Sequence, residues 1–286
     1  MTLDDCRHFY ADEVRIVAGL DSAALVAAYA RVPREKFMGP APWKVTSPDT
    51  ASMAYLGLAG AVYLSTENPR DLYHNVLVAL DPERCLNNGQ PSALARWIAA
   101  LDLKPGDRVY HLGCGVGYYT AIMAEVVGPG GRVVASEVES GLASRAGENL
   151  AAYPNVSVYA VDGAQFDPGK CDAIFINAGV THPHPLWVES LTDCGRLVLP
   201  LTGDTTAGVV AKVVPTVNGL SARIVTPVGI FPCTSVRDPE MSAAIAAAVA
   251  SRNLFKLKSV RTDSHPQDQT CLVHGPTVCL SAADLN

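Results

Sequence analysis

The sequence predicts an α/β fold: a parallel sheet with helices on both faces, led by an N-terminal helical segment and followed by a C-terminal extension. Over about 100 residues, short β-branched runs alternate with helix-like stretches, the pattern of successive βαβ units. A glycine turn, Gly113-Cys114-Gly115-Val116-Gly117, lies between the first of these runs and the helix that follows it. Acidic side chains, Glu137 and Asp162, stand at the ends of the next two runs.

The elements follow in order. Residues 1–46 read as helical, with Asp21 or Ser22 as a cap ahead of 23–29, until Pro33 closes the run and Pro40, Pro42 and Pro48 mark loops. Residues 47–88 read as irregular, with a short apolar piece at 76–80. A helix is expected from Pro91 to Leu101, then a turn at Lys104-Pro105-Gly106-Asp107. The alternation proper is strand 108–112, helix 118–127, strand 132–136, helix 141–152, and strands at 156–160, 171–177 and 196–200. Residues 209–214 and 222–228 suit closing antiparallel strands. A cap near Asp238 opens an Ala-rich helix at 241–251, and 253–286 reads as short strands broken by Pro and Gly. This divides the chain into 1–90, 91–235 and 236–286.

Composition narrows the class of function. Of 286 residues, 49% are hydrophobic and 17% charged, enough to bury a core without staples. The formal net charge of −6 disfavours a nucleic-acid partner, which calls for clustered cations. No apolar stretch approaches the roughly 20 residues of a membrane span, and Met1-Thr2-Leu3-Asp4-Asp5 does not resemble a secretory leader. The eight cysteines are scattered without a CxxC pair, which predicts reduced core filler and a cytoplasmic location. His182-Pro183-His184 has no third ligand at a recognisable spacing, so a loop and no metal site are expected.

The glycine turn carries the chemistry. Glycines there admit positive φ and close approach of a ligand, and the helix N-terminus supplies N–H donors. The spacing is GxGxG, whereas a nicotinamide fingerprint reads GxGxxG. Glu137 stands 20 residues beyond Gly117, where an acid accepts both hydroxyls of an adenosine ribose. Asp162-Gly163 stands where an acceptor meets an adenine amine. Three such features at successive strand ends predict a nucleoside crevice.

With these residues stand Cys171-Asp172-Ala173-Ile174-Phe175-Ile176-Asn177-Ala178 and Cys194-Gly195-Arg196-Leu197-Val198-Leu199-Pro200. Together they resemble class I S-adenosylmethionine-dependent methyltransferases, whose sheet is Rossmann-like. Val32-Pro33-Arg34-Glu35-Lys36-Phe37, Gln90-Pro91 and Gly229-Ile230-Phe231-Pro232 narrow the resemblance to the protein-L-isoaspartate O-methyltransferases, over roughly residues 20–235. The resemblance implies S-adenosyl-L-methionine as cofactor. Gly113, Gly115 and Gly117 would line its methionine and ribose portion, Glu137 would hold the ribose and Asp162 the adenine, with His111, Tyr118, Val138 and Gly163 beside them. Asn177 would border both the cofactor and the space of methyl transfer. No metal is required, because a sulfonium is already an activated electrophile.

Two positions depart from the family pattern. Gly89 stands where a serine associated with activity is expected, and His111 replaces an acid before the glycine turn. The amides of Asn87, Asn88 and Gln90 could bind an acceptor carboxylate or amide, so Asn88, Gln90 and Asn177 are the candidates for acceptor positioning. The expected acceptor is a carboxylate of a peptide or protein. Alternatives are a small molecule or modified peptide, or a cofactor-binding module without catalysis. Residues 177–180 lack the N/D-P-P-Y/F motif of nucleic-acid amino-methylating enzymes, and no G-x-S-x-G elbow supports serine hydrolysis.

Overall fold

A computed structural model describes residues 1–55, 60, 62–204 and 207–285. Helix α1 (Leu3–Ala18) starts from a reciprocal cap in which Thr2 Oγ1 accepts the Asp5 N–H and the Asp5 carboxylate accepts the Thr2 N–H. Ser22 caps α2 (Ala23–Arg31), accepting the Leu25 N–H at 3.3 Å. The chain then departs from expectation. Strand β1 (Trp43–Thr46) falls in the stretch expected to be helical. The segment read as irregular holds α3 (Pro48–Tyr55), β2 (Leu64–Thr66), β3 (Leu77–Asp81) and β4 (Leu86–Asn87). The four strands form an antiparallel sheet in the order β2-β1-β3-β4. None exceeds five residues, too short for alternation to register as a period.

From α4 (Pro91–Ala100) onward the expected βαβ units appear. They are β5 (Arg108–Leu112), α5 (Tyr118–Val127), β6 (Arg132–Glu137), α6 (Ser140–Asn149), β7 (Val156–Ala160) and β8 (Cys171–Ile176). A short α7 (Pro185–Ser190), not foreseen from the sequence, leads into β9 (Leu191–Thr202), which starts five residues earlier than expected. Strands β10 (Ala207–Thr216) and β11 (Gly219–Gly229) form the closing hairpin. Asp238 caps α8 (Pro239–Ala250), accepting the Met241 N–H at 2.8 Å. Strands β12 (Ser259–Arg261), β13 (Cys271–His274) and β14 (Cys279–Ser281) complete the chain.

One ten-stranded sheet results, ordered β13-β14-β12-β11-β10-β9-β8-β5-β6-β7. Strands β9, β8, β5, β6 and β7 run parallel, and the rest of the sheet continues antiparallel. The order reverses between β5 and β8, a topological switch point that leaves a crevice beyond their carboxyl ends. Residue alternation along β5 divides the core. Val109 faces the cluster that includes α1, α2, α4 and α5, while Tyr110 and Leu112 face the one that includes Trp187 and the C-terminal Ile245, Leu254 and Leu280. Among the described residues, no helix is long and apolar enough to cross a membrane.

Candidate active site

The glycine turn leaves β5 at the switch point with Gly113, Gly115 and Gly117 at φ 74°, 56° and 89°. They serve different ends. A Cβ at Gly117 would lie 2.7 Å from Leu150 Cδ1, so that glycine lets α6 pack close. A Cβ at Gly115 would meet nothing within 4 Å, so the backbone there is open to a ligand. Gly117 also starts α5 without a side-chain cap, leaving the first-turn N–H groups of that helix oriented toward the crevice.

Glu137 ends β6 only 7% exposed. Its Oε2 accepts the Gly115 N–H at 2.9 Å and its Oε1 the Glu139 N–H at 3.1 Å. Val138, beside it, is exposed. Beyond β7, Asp162 Oδ1 accepts the Ala164 N–H at 3.0 Å and the Ser235 hydroxyl at 2.8 Å. Gly163 is packed too tightly for a side chain: a Cβ would lie 2.4 Å from Leu112 Cδ1, and Trp187 Nε1 donates to its carbonyl at 2.9 Å. Asn177, following β8, donates through Nδ2 to the Gly113 carbonyl at 3.2 Å. Glu137 and Asn177 thus each bond the glycine turn, and Gly163, the neighbour of Asp162, packs on Leu112 just before it.

Three residues expected at the site lie elsewhere. His111 is 0% exposed, its Nδ1 is 2.9 Å from Thr120 Oγ1, and its ring packs on Phe175. Strand alternation turns it to the same face as Val109, under α5. Burial pushes its pKa down to about 3, so the ring is neutral. Tyr118 opens α5, but its side chain is 1% exposed and meets the Tyr10 hydroxyl at 3.2 Å in a cluster with Tyr29, Phe37 and Tyr119. Only its backbone borders the turn. Asn88 is 8% exposed, and its Oδ1 accepts from the Val78 N–H at 3.1 Å and Arg34 Nη2 at 3.2 Å. Its side-chain carbonyl ties β3 to Arg34, in the turn after α2, and does not face an acceptor. Gln90, half-buried, donates to Ser92 Oγ at 3.0 Å.

One contributor stands in a motif already noted, and the others carry no signal in the sequence. Fully buried Arg34 donates to the carbonyls of Leu72 at 2.6 Å, His74 at 3.1 Å and Val76 at 2.8 Å, and lies over the rings of Tyr10 and Tyr118. Tyr119 donates to the Gly89 carbonyl at 3.0 Å. Arg84, in the β3–β4 turn, makes paired bonds of 2.9 and 2.6 Å to Glu139, two residues beyond Glu137. These contacts bring the Asn87-Asn88-Gly89-Gln90 segment beside α5 and the β3–β4 turn to the end of β6. On the far side, Gly179 exchanges backbone bonds of 2.7 Å with Phe231 and Cys233, drawing residues 231–235 across the end of β8.

Solved structures share this architecture. A protein-L-isoaspartate O-methyltransferase aligns with TM-score 0.59 and 19% identity, covering 86% of this chain and 70% of that one. A beta-aspartate methyltransferase (PCMT) from Plasmodium falciparum, in complex with S-adenosyl-L-homocysteine, aligns with the same score and identity, covering 80% of this chain and 98% of that one. The fold is that of the class I S-adenosylmethionine-dependent methyltransferases. Sequence places the chain within that class. Residues 43–235 match the protein-L-isoaspartate(D-aspartate) O-methyltransferase (PCMT) family, and the chain belongs to it. It is therefore an O-methyltransferase that uses S-adenosylmethionine. Relatives named protein-L-isoaspartate O-methyltransferase include one from Rhodopseudomonas palustris, 31% identical over 71% of this chain and 75% of its own. Another, from Gloeobacter violaceus, is 28% identical over 80% of this chain and 98% of its own.

Proposed function

We propose that the chain esterifies a carboxylate of a peptide or protein, with isoaspartyl peptides as the acceptor class. The observation that carries this reading is the meeting of the 87–90 segment, through Tyr119 and Gly89, with the helix that opens from the glycine turn. An acceptor bound by the amides of Asn87 and Gln90 would stand at the rim of the crevice. The residues present fit the cofactor: Gly115 leaves open backbone, and the Glu137 carboxylate stands at its amide.

When bound, S-adenosylmethionine supplies a methyl carbon made electrophilic by its sulfonium. A carboxylate is anionic at neutral pH, so the chain needs no general base. Its residues bind, align and exclude water. Glu137 would hold the ribose hydroxyls, Asp162 the adenine amine, and Asn177 would border the transfer path. The net charge of −6 supports an acceptor that is not a nucleic acid. All eight cysteines are free, which supports a reducing, cytoplasmic setting.

Gly89 favours a second reading in which the acceptor is a modified peptide or small molecule, because the family's serine is missing there. Incubation with labelled cofactor and an isoaspartyl peptide separates the two. The first reading expects a base-labile methyl ester on that peptide. No ester, with cofactor binding intact by calorimetry, leaves the second. No turnover across a broad acceptor panel would leave a binding module.

A further inference from the structure

The C-terminal extension holds a cluster of reactive side chains far from the crevice. Strand β14 lies six positions from β5 across the sheet, next to the β13 edge. Here the ligand-type atoms of His265, Cys271, His274 and Cys279 all lie within 4.8 Å of one another. Cys271 Sγ is 3.6 Å from His265 Nε2, His274 and Cys279 are cross-strand partners, and the two imidazoles meet edge to face with centroids 4.9 Å apart. His265, His274 and Cys279 line a cavity of about 250 Å³.

Two thiols and two imidazoles make the donor set of a closed tetrahedral zinc site. Bond lengths to zinc place the ligand atoms of such a site roughly 3.3–3.8 Å apart, so the observed cluster contracts by about an ångström to reach it. The surroundings already orient the ligands. His265 Nδ1 lies 2.9 Å from the Asp263 carbonyl, which makes Nδ1–H the donor and leaves the Nε2 lone pair toward Cys271. The Asp268 N–H points at Cys271 Sγ, 3.3 Å away, as it would toward a thiolate. Arg261 binds both Asp263 and Asp268, at 3.1 and 3.0 Å, gathering the 262–270 loop against the strands.

We propose that His265, Cys271, His274 and Cys279 bind one zinc ion. The four ligands fill the coordination sphere, so the ion is architectural: it pins the 262–270 loop to the β13–β14 hairpin and holds together strands of only three or four residues. The spacing, H-x5-C-x2-H-x4-C, contains no CxxC or HxxxH pair that would single it out in the sequence.

The test uses the full chain, purified under reductant and dialysed. Elemental analysis should find about one zinc per chain, and cobalt exchanged into the site should show the intense absorption of tetrahedral thiolate coordination. His274→Asn, which alters an exposed side chain, and Cys271→Ser should each weaken zinc retention by about tenfold or more. S-adenosylhomocysteine binding serves as the check that each variant is folded. A reduced wild-type chain that takes up neither metal overturns the proposal. So does zinc retention unchanged in both variants, or a Cys271–Cys279 disulfide in protein isolated without oxidant.

Discussion

Gly115 donates its backbone N–H to Glu137 Oε2 at 2.9 Å, fastening the turn after β5 to the end of β6. The same carboxylate receives the Glu139 N–H on its other oxygen. One side chain therefore shapes the turn and presents charge to the space the turn encloses.

Glu137→Ala should weaken S-adenosylhomocysteine binding by about 1.5–3 kcal/mol, roughly tenfold to a hundredfold in Kd. Calorimetry reads this directly, and an unchanged Kd would remove Glu137 from the ribose contact. Glu137→Gln, which keeps an acceptor for the Gly115 amide, should fall between.

Gly89 sits at φ 80°, and a Cβ there would lie 2.8 Å from Leu94 Cδ2. Introducing the family's hydroxyl as Gly89→Ser should cost about 1–3 kcal/mol of stability, from left-handed strain and overpacking. Urea unfolding measures it. A variant as stable as the parent would mean that the segment has another accessible conformation.

The buried His111 imposes a pH dependence. Its folded pKa of about 3 lies below the ordinary histidine value, so the unfolded chain binds the extra proton between those limits. Stability is full above about pH 6.5 and falls by about 1.4 kcal/mol per unit as acidification proceeds from there. Burial shifts His182 and His184 in the same direction. Denaturant midpoints from pH 7 to 4 should show a shallower slope for His111→Gln than for the parent.

Arg34→Met removes the donor shared by three carbonyls and Asn88. The orphaned acceptors lie in the core, so the loss should be about 3–5 kcal/mol. Chemical denaturation without cofactor reads it, and a loss below 1 kcal/mol would mean water fills the gap.

The parallel half of the sheet is legible in the sequence because each strand is a buried β-branched run bounded by a turn or helix signal. Strands 108–112 and 156–160 and helix 118–127 begin and end where that pattern places them. The small antiparallel sheet is not legible, since its strands are held by pairing partners remote in sequence, such as Val45 with Val78. The strand-end acids could be located by counting from the glycines. Side-chain direction could not: His111 and Tyr118 are adjacent to the turn in sequence but face the core, and only the sheet's orientation under α5 decides that. The direction of Asn88 is hidden for a related reason, because Arg34, which donates to its side-chain carbonyl, is 54 residues away.

The Arg34 cradle has one further consequence. Backbone dipoles and ring faces hold this cation, and neither titrates near neutrality nor is exposed to dissolved electrolyte. Acidification and high salt, which loosen surface pairs such as Arg84 with Glu139, leave this fastening unchanged. The turn after α2 therefore stays fastened to the 72–76 segment and to Asn88 in brine as in dilute buffer.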